Sequence, residues 1–176
     1  MHSTFLDFAS IGAGLLIVRV VVGLLMAGHG TQKLFGWFGG HGIAGTGAFF
    51  ESIGFRPGRL FATVASVTEL VSGLLVAFGF LGPVGPALML SVMIVAAVSV
   101  HWKNGLWAAA GGIEVALFYG AVAVALALIG FGSYSLDALF GLQSLYTPTL
   151  AVIALAIGFL GGVGNLLARR PVAAAA

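Results

Sequence analysis

The sequence predicts an all-α fold, a polytopic bundle of helices that cross a membrane. Hydrophobic residues make up 60% of the 176-residue chain and charged residues only 7%, whereas soluble domains carry about 25% charged residues. Five segments are apolar over roughly the 20 residues that a membrane span requires. Cysteine is absent, which excludes disulfides, thiolate metal sites and thiol chemistry within this chain.

The predicted spans follow one another within a single transmembrane domain. The second and third are separated by Gly82 and Pro83, which predicts a tight helical hairpin because both residue types break helices. Gly158 and Gly162 form a GxxxG pair in the last span, typical of close packing within a bundle or against a partner. The predicted spans are residues 11–29, 60–81, 84–100, 108–131 and 149–168, with a loop at 30–59.

Positive charges fall on one side of this predicted topology. The N-terminus, the Gly82–Pro83 turn and the loop 132–148 carry Asp7 and Asp137 but no Lys or Arg. Because positive charges are retained on the cytoplasmic side, we expect the N-terminus outside and the C-terminus in the cytoplasm. The cytoplasmic side would then hold six cations: Lys33, Arg56, Arg59, Lys103, Arg169 and Arg170.

The loop at residues 30–59 interleaves aromatic residues with glycines. One interpretation is an interfacial segment whose rings lie at headgroup depth. The other is a lid over a site at the membrane surface. Its aromatic residues include Phe35, Trp37, Phe38, Phe49, Phe50 and Phe55.

Two charges lie inside predicted spans, Arg19 in the first and Glu69 in the second. A charge within a span costs about 2.5–3.5 kcal/mol on insertion scales and usually has a partner. Counted at 1.5 Å per residue from His29 and Leu60, both charges lie roughly 14 Å from the same surface. We therefore expect a buried Arg19–Glu69 ion pair. It could specify helix packing or line a ligand or proton path, and the sequence leaves both roles open.

A second polar layer is predicted nearer the cytoplasmic surface, where successive spans deliver residues to one side. No HxxE or HExxH spacing accompanies its histidines, so we expect no metal site. The layer could bind a quinone, with histidine near a carboxylate carrying the accompanying proton, or its histidines could simply hydrogen-bond at the interface. With Arg19 and Glu69, the candidate polar site comprises His29, Gln32, Lys33, His101 and Glu114.

At these residues the chain resembles the DoxX family of small bacterial membrane proteins. The resemblance runs over most of the chain and includes the arginine of the first span. Its further motifs are HGTQKLFGWFGG at residues 29–40, ELVSG at 69–73, AxxxxH ending at His101, IEVALFY from Ile113 and FGSYSLD ending at Asp137.

The resemblance implies a four-helix membrane core, to which the span near Thr149 would add a fifth, C-terminal transmembrane helix. It also implies a membrane subunit of a quinone-linked oxidoreductase complex in the bacterial plasma membrane. Such a subunit would not act autonomously, would carry no intrinsic cofactor, and could bind a quinone at the polar site. Its expected partners are the lipid bilayer, a soluble or peripheral redox protein and further copies of itself, with no nucleic acid. The alternative function is a non-redox small-molecule carrier or a structural membrane scaffold. The sequence assigns no catalytic residue.

Overall fold

Residues 8–170 are described by a computed structural model, and over this range the chain is a bundle of helices without strands. The predicted all-α, polytopic helix bundle is confirmed. The helices are α1 (Phe8–Phe35), α2 (Gly42–Ser52), α3 (Gly58–Phe78), α4 (Val84–Ala96), α5 (Glu114–Ile129), α6 (Leu136–Leu139) and α7 (Pro148–Leu167).

Four helical segments within residues 8–170 are long and apolar enough to cross a membrane: Ser10–Phe35, Gly58–Phe78, Val84–Asn104 and Pro148–Leu167. The third of these continues α4 through a π-helical turn, Ala97–His101, and a 3₁₀ turn, Trp102–Asn104. The chain is therefore an integral membrane protein.

The fourth predicted span, residues 108–131, is shorter than expected. Its helix, α5, has 16 residues and begins only at Glu114, so it is about 24 Å long. Ala108–Ala110 form a separate 3₁₀ turn that ends at Gly111. Gly111 has a φ of +76°, a left-handed conformation that ends helices. The helix therefore starts after this glycine, whereas the apolar run alone suggested a start at residue 108.

The antiparallel contact between α1 and α3 is the most extensive between the described helices and depends on glycine. A side-chain carbon at Gly23 would lie 2.5 Å from the Gly73 carbonyl oxygen and from the Ala77 nitrogen. Gly30 is in similarly close contact with Ser66 and Leu70. Small residues permit such close packing of membrane helices. These contacts fix the register of α1 against α3.

A turn at residues 79–83 joins α3 to α4, close to the predicted hairpin. Gly79 ends α3 in the left-handed conformation. The buried carboxylate of Asp137 accepts hydrogen bonds from the backbone N–H groups of Leu81, at 3.0 Å, and Gly82, at 2.8 Å. Asp137 thus ties the segment before α7 to the α3–α4 turn.

The GxxxG pair of α7 packs against α4 within the bundle. Gly158 faces the backbone of Ala87, and Gly162 faces the backbone of Ser91. Residue numbers therefore increase in the same direction along the two helices, and α7 runs parallel to α4. The ends of α1, α4 and α7 therefore meet at one end of the bundle, here called the basic end. All six cations predicted to share a side lie there: Lys33, Arg56, Arg59, Lys103, Arg169 and Arg170.

The segment predicted as a loop at residues 30–59 is largely helical. Its start belongs to the last turns of α1, and α2 occupies residues 42–52. Packing explains the helix, because Gly47 contacts the backbone of Arg59 and Gly58 faces the Gly47 carbonyl oxygen. Phe50 and Phe55 pack with Ala62 in a small core under α2. Asp7, used above to assign the topology, lies outside the described residues.

Candidate functional site

The predicted Arg19–Glu69 ion pair is wrong, because each residue has a different partner. The Glu69 carboxylate pairs with the Lys33 ammonium. Arg19 donates from Nη1 to the Ala77 carbonyl oxygen at 2.5 Å. Ala77 lies eight residues beyond Glu69 on α3, about 12 Å along the helix axis. The prediction placed the end of the first span at His29, whereas α1 continues to Phe35, and this shifts the register between the helices.

The Lys33–Glu69 pair joins α1 to α3 near the basic end of the bundle. The Glu69 side chain is 3% exposed and that of Lys33 is 33% exposed. Lys33 contacts only Oε1, and Oε2 is buried without a hydrogen-bond partner among residues 8–170. A buried charged oxygen without a partner is costly. This makes Oε2 an acceptor that a ligand could satisfy.

A cavity of about 330 Å³ lies beside this pair, between α2, α3, α4 and the end of α7. This volume is at the lower end of the roughly 300–1,000 Å³ found for small-molecule sites. Lys33 and Glu69 both line it. Most of the remaining wall is apolar, with aromatic residues from α2, α3 and the segment between them: Phe49, Phe50, Phe55 and Phe61.

His101 is the third predicted site residue that lines this cavity. It ends the π-helical turn of α4, a feature that is frequent at functional sites. Its Nδ1 lies 2.7 Å from the Gly111 carbonyl oxygen. A carbonyl oxygen only accepts, so Nδ1 carries the hydrogen, and Nε2 of the neutral ring is left as an acceptor.

The helix α2 forms one wall of the cavity through Thr46, Phe49 and Phe50, together with His41 just before the helix. Part of the segment at residues 30–59 therefore lines the cavity, and its interpretation as a lid over a site stays a prediction. Thr46 donates to the Lys33 carbonyl oxygen at 3.3 Å. This bond ties α2 to the same turn of α1 that carries the ammonium group.

The remaining predicted site residues lie outside this cavity. The His29 ring packs edge-on against Tyr119 of α5, with centroids 6.1 Å apart, and its Nδ1 lies 3.2 Å from Gln32 Oε1. Gln32 donates to the Phe38 carbonyl oxygen at 3.3 Å. Glu114 Oε2 accepts from the Ala108 N–H at 2.7 Å. These three side chains stabilise turns and helix contacts at the basic end. The residues of the predicted polar layer therefore do not form one site.

Arg19 lines a separate cavity of about 600 Å³ toward the other end of the bundle, together with Ser133 and Tyr134. Its side chain is buried, and its Nε has no hydrogen-bond partner among residues 8–170. The carbonyl that it binds belongs to the last turn of α3, where the helix dipole favours a positive charge. Arg19 therefore caps α3 and does not belong to the Lys33–Glu69 site.

Several residues that line the cavity were missed from the sequence. Phe61, Ala65 and Thr68 stand four and seven residues apart on α3, and Glu69 adjoins them. That spacing marks one helix face, and it was available as a signal. Asn165 also lines the cavity and is the one amide side chain of α7. A polar residue in an otherwise apolar span was a second available signal.

The fold and the site define a class: a polytopic membrane protein with a charged pair in the wall of a largely apolar cavity. The DoxX family model matches residues 14–102, just over half of the chain. The chain belongs to the DoxX family. The matched region contains Lys33, Glu69 and His101, whereas α5, α6 and α7 follow it. No curated protein and no solved structure matches the chain.

Proposed function

We propose that this DoxX protein is the membrane subunit of an oxidoreductase and that the cavity beside Lys33 and Glu69 binds a quinol or quinone. The observation that carries the proposal is the buried Glu69 carboxylate, with Oε1 paired to Lys33 and Oε2 without a partner in the described chain. This arrangement offers a cationic donor and an anionic acceptor next to an aromatic cavity.

The donor set fits the chemistry of this ligand class. Lys33 can donate to a ring carbonyl oxygen, and Glu69 Oε2 can accept from a ring hydroxyl. The phenylalanine rings of α2 and α3 offer an apolar wall to a ring and an aliphatic tail. A bound quinone would supply two-electron, two-proton redox chemistry, which the side chains of this chain lack.

The chain's own residues would orient the ligand and carry its protons. Glu69 is the proton acceptor at Oε2, and the adjacent Lys33 holds Oε1 in place. His101 lies at the same cavity with Nε2 free to accept a proton and pass it toward the basic end. A soluble or peripheral partner would bear the redox group that exchanges electrons with the ligand. The six cations of the basic end favour the cytoplasmic side for that end, and the family resemblance favours a bacterial plasma membrane.

A photoreactive quinone tests the proposal. Membranes that contain the protein are illuminated with a photoreactive benzoquinone and, separately, a photoreactive naphthoquinone, and the labelled peptides are sequenced by mass spectrometry. We expect labels on the α2 and α3 residues that line the cavity, Phe49 and Phe61 among them. Labelling confined to the Arg19 cavity, or absent from folded protein, would overturn the proposal.

Matched variants sharpen this test. Glu69→Gln keeps the size of the side chain but removes its charge, and we expect labelling to fall at least roughly tenfold. The control is Glu51→Gln, because Glu51 is exposed at the same end of the bundle and does not line the cavity. Equal labelling of both variants would assign the Lys33–Glu69 pair to helix packing alone and favour the scaffold alternative.

A further inference from the structure

A second cavity at the basic end is lined by cations. It has a volume of about 750 Å³ and lies between α2, the π-helical turn of α4 and the residues after α7. Lys103, Arg169 and Arg170 line it together with apolar side chains, including Ile53 and Val98. The cavity therefore combines a strongly positive rim with apolar walls.

The fold holds the two arginines in place from the segment between α2 and α3. Arg169 donates from Nε to the Ile53 carbonyl oxygen at 2.8 Å, and its guanidinium lies 5.8 Å from the centre of the Phe55 ring. The backbone N–H of Arg170 donates to the Gly54 carbonyl oxygen, also at 2.8 Å. The chain after α7 is thus fixed against the segment that follows α2.

The positive charge of this cavity is not neutralised by the described part of the protein. Within residues 8–170, the ion pair that forms is Lys33–Glu69, and Lys103, Arg169 and Arg170 have no carboxylate within bridging distance. Three cations that converge on one cavity without an anion indicate that an anionic ligand completes it.

We propose that this cavity binds the phosphate group of an anionic phospholipid, with the acyl chains along the neighbouring apolar surface. Its position supports a lipid, because α7 ends at Leu167 and α4 ends in the turn before Trp102, so the cavity lies where the membrane helices finish. Leu167 is 81% exposed and Trp102 is 65% exposed. Exposed apolar and indole side chains at this level are typical of contact with the membrane interface. Guanidinium groups bind phosphate oxygens in pairs.

This phospholipid site adjoins the cavity beside Lys33 and Glu69 but is chemically separate from it. Phe49, Ser99 and Val100 line both cavities. The lipid phosphate would therefore lie across Phe49 from the Glu69 cavity. The inference does not depend on the proposed redox function, because it rests on the three cations and on the position of the cavity at the ends of the membrane helices.

Native mass spectrometry of the full chain in neutral detergent tests the site. The protein is titrated with phosphatidylglycerol, with phosphatidylcholine of the same acyl chains, and with inorganic phosphate. We expect phosphatidylglycerol to bind at least about tenfold more tightly than phosphatidylcholine, since each basic residue near a membrane surface contributes about a fivefold gain for anionic lipid. Binding of inorganic phosphate with no preference between the two lipids would overturn the assignment to a lipid.

Two variants with the same loss of charge locate the binding. Lys103→Gln/Arg170→Gln removes two cations from the cavity and leaves the Arg169–Ile53 hydrogen bond intact. Arg56→Gln/Arg59→Gln removes two exposed cations from the same end that do not line the cavity. We expect the first pair to weaken phosphatidylglycerol binding roughly 25-fold, about fivefold per charge, and the second to change it less than about threefold.

Thermal unfolding of both double variants without lipid checks that they fold. Equal weakening by the two double variants would show that general surface charge, and not this cavity, attracts the lipid. Unchanged binding in the Lys103→Gln/Arg170→Gln variant would also overturn the proposal. Isolation of an acidic polypeptide that this variant releases, with no lipid preference in the original protein, would replace the lipid by a protein partner.

Discussion

Lys33 and Glu69 form an ion pair between α1 and α3 in which the carboxylate is almost completely buried and the ammonium is one-third exposed. This difference in exposure predicts how much stability the protein loses when either partner is replaced. A lysine that loses its partner can extend toward the headgroup region, whereas a buried carboxylate that loses its partner remains in an apolar environment.

We therefore expect Lys33→Met to destabilise the protein by about 3–5 kcal/mol, the range for breaking a buried pair from one side. Glu69→Gln should cost clearly less, since the amide is neutral. The double variant Lys33→Met/Glu69→Leu should recover most of the loss, because it leaves no buried charge. Unfolding in mixed micelles with increasing SDS measures all three variants. A greater loss for Glu69→Gln than for Lys33→Met would contradict this interpretation of the pair.

Replacement of Arg19 should affect stability but not quinone binding, because Arg19 lines a different cavity. We expect Arg19→Gln to change quinone labelling of the Glu69 cavity by less than about twofold. Stability should fall by about 1–3 kcal/mol if the Ala77 carbonyl loses its donor. Labelling and SDS unfolding of the same preparation separate the two effects. A tenfold loss of labelling with unchanged stability would return Arg19 to the functional site.

The sequence was sufficient for the class of fold but not for the pairing of its charges. Spans were predicted from apolar length, and this placed Arg19 and Glu69 on the correct helices but left Lys33 in the loop after the first span. Their partners depend on where each helix ends, and α1 continues six residues past His29 in a segment that contains Gln32 and Lys33. Apolar length does not detect such a polar helical extension.

The helix α2 shows a second limit of sequence reasoning. Its sequence, GIAGTGAFFES, contains three glycines, each of which disfavours a helix by about 1 kcal/mol relative to alanine. The helix forms because Gly47 and Gly58 allow it to pack tightly against α3. Such a tertiary contact is not visible in local propensity. For the same reason, the cavity under α2 could be suspected from its aromatic residues but not located.

The proximity of Tyr146 to Asp137, at the end of the bundle opposite the basic end, predicts that the stability of the protein depends on pH. Burial, and then the nearby Asp137 charge, raises the pKa of the Tyr146 phenol above its usual value. A raised pKa in the folded state means that stability is lost as the pH rises through that folded pKa. We expect Tyr146→Phe to lose less stability than the original protein as the pH rises above about 10, the usual pKa of a tyrosine. Thermal unfolding at successive pH values measures this, and parallel curves for the two proteins would contradict it.

The same carboxylate should be important for the α3–α4 turn at neutral pH. Asp137→Asn keeps the shape of the side chain, but its amide nitrogen cannot accept from a backbone N–H. One of the two bonds, to Leu81 or Gly82, is then lost. We expect a loss of about 1–3 kcal/mol in SDS unfolding. Unchanged unfolding of Asp137→Asn would show that the carboxylate does not stabilise the turn.

Two glycines of α7 test whether its packing against α4 depends on the GxxxG pair. Gly158→Ala would force a side-chain carbon into the backbone of Ala87, and overpacking of this kind costs about 1–3 kcal/mol. Gly164→Ala is the matched control, because no atom lies within 4 Å of the position that its side-chain carbon would occupy. Alanine should stabilise the helix there by roughly 0.5–1 kcal/mol. SDS unfolding of the two variants should therefore shift in opposite directions. A stabilised Gly158→Ala variant would show that α7 can move away from α4 at little cost, and that this contact does not determine where α7 packs.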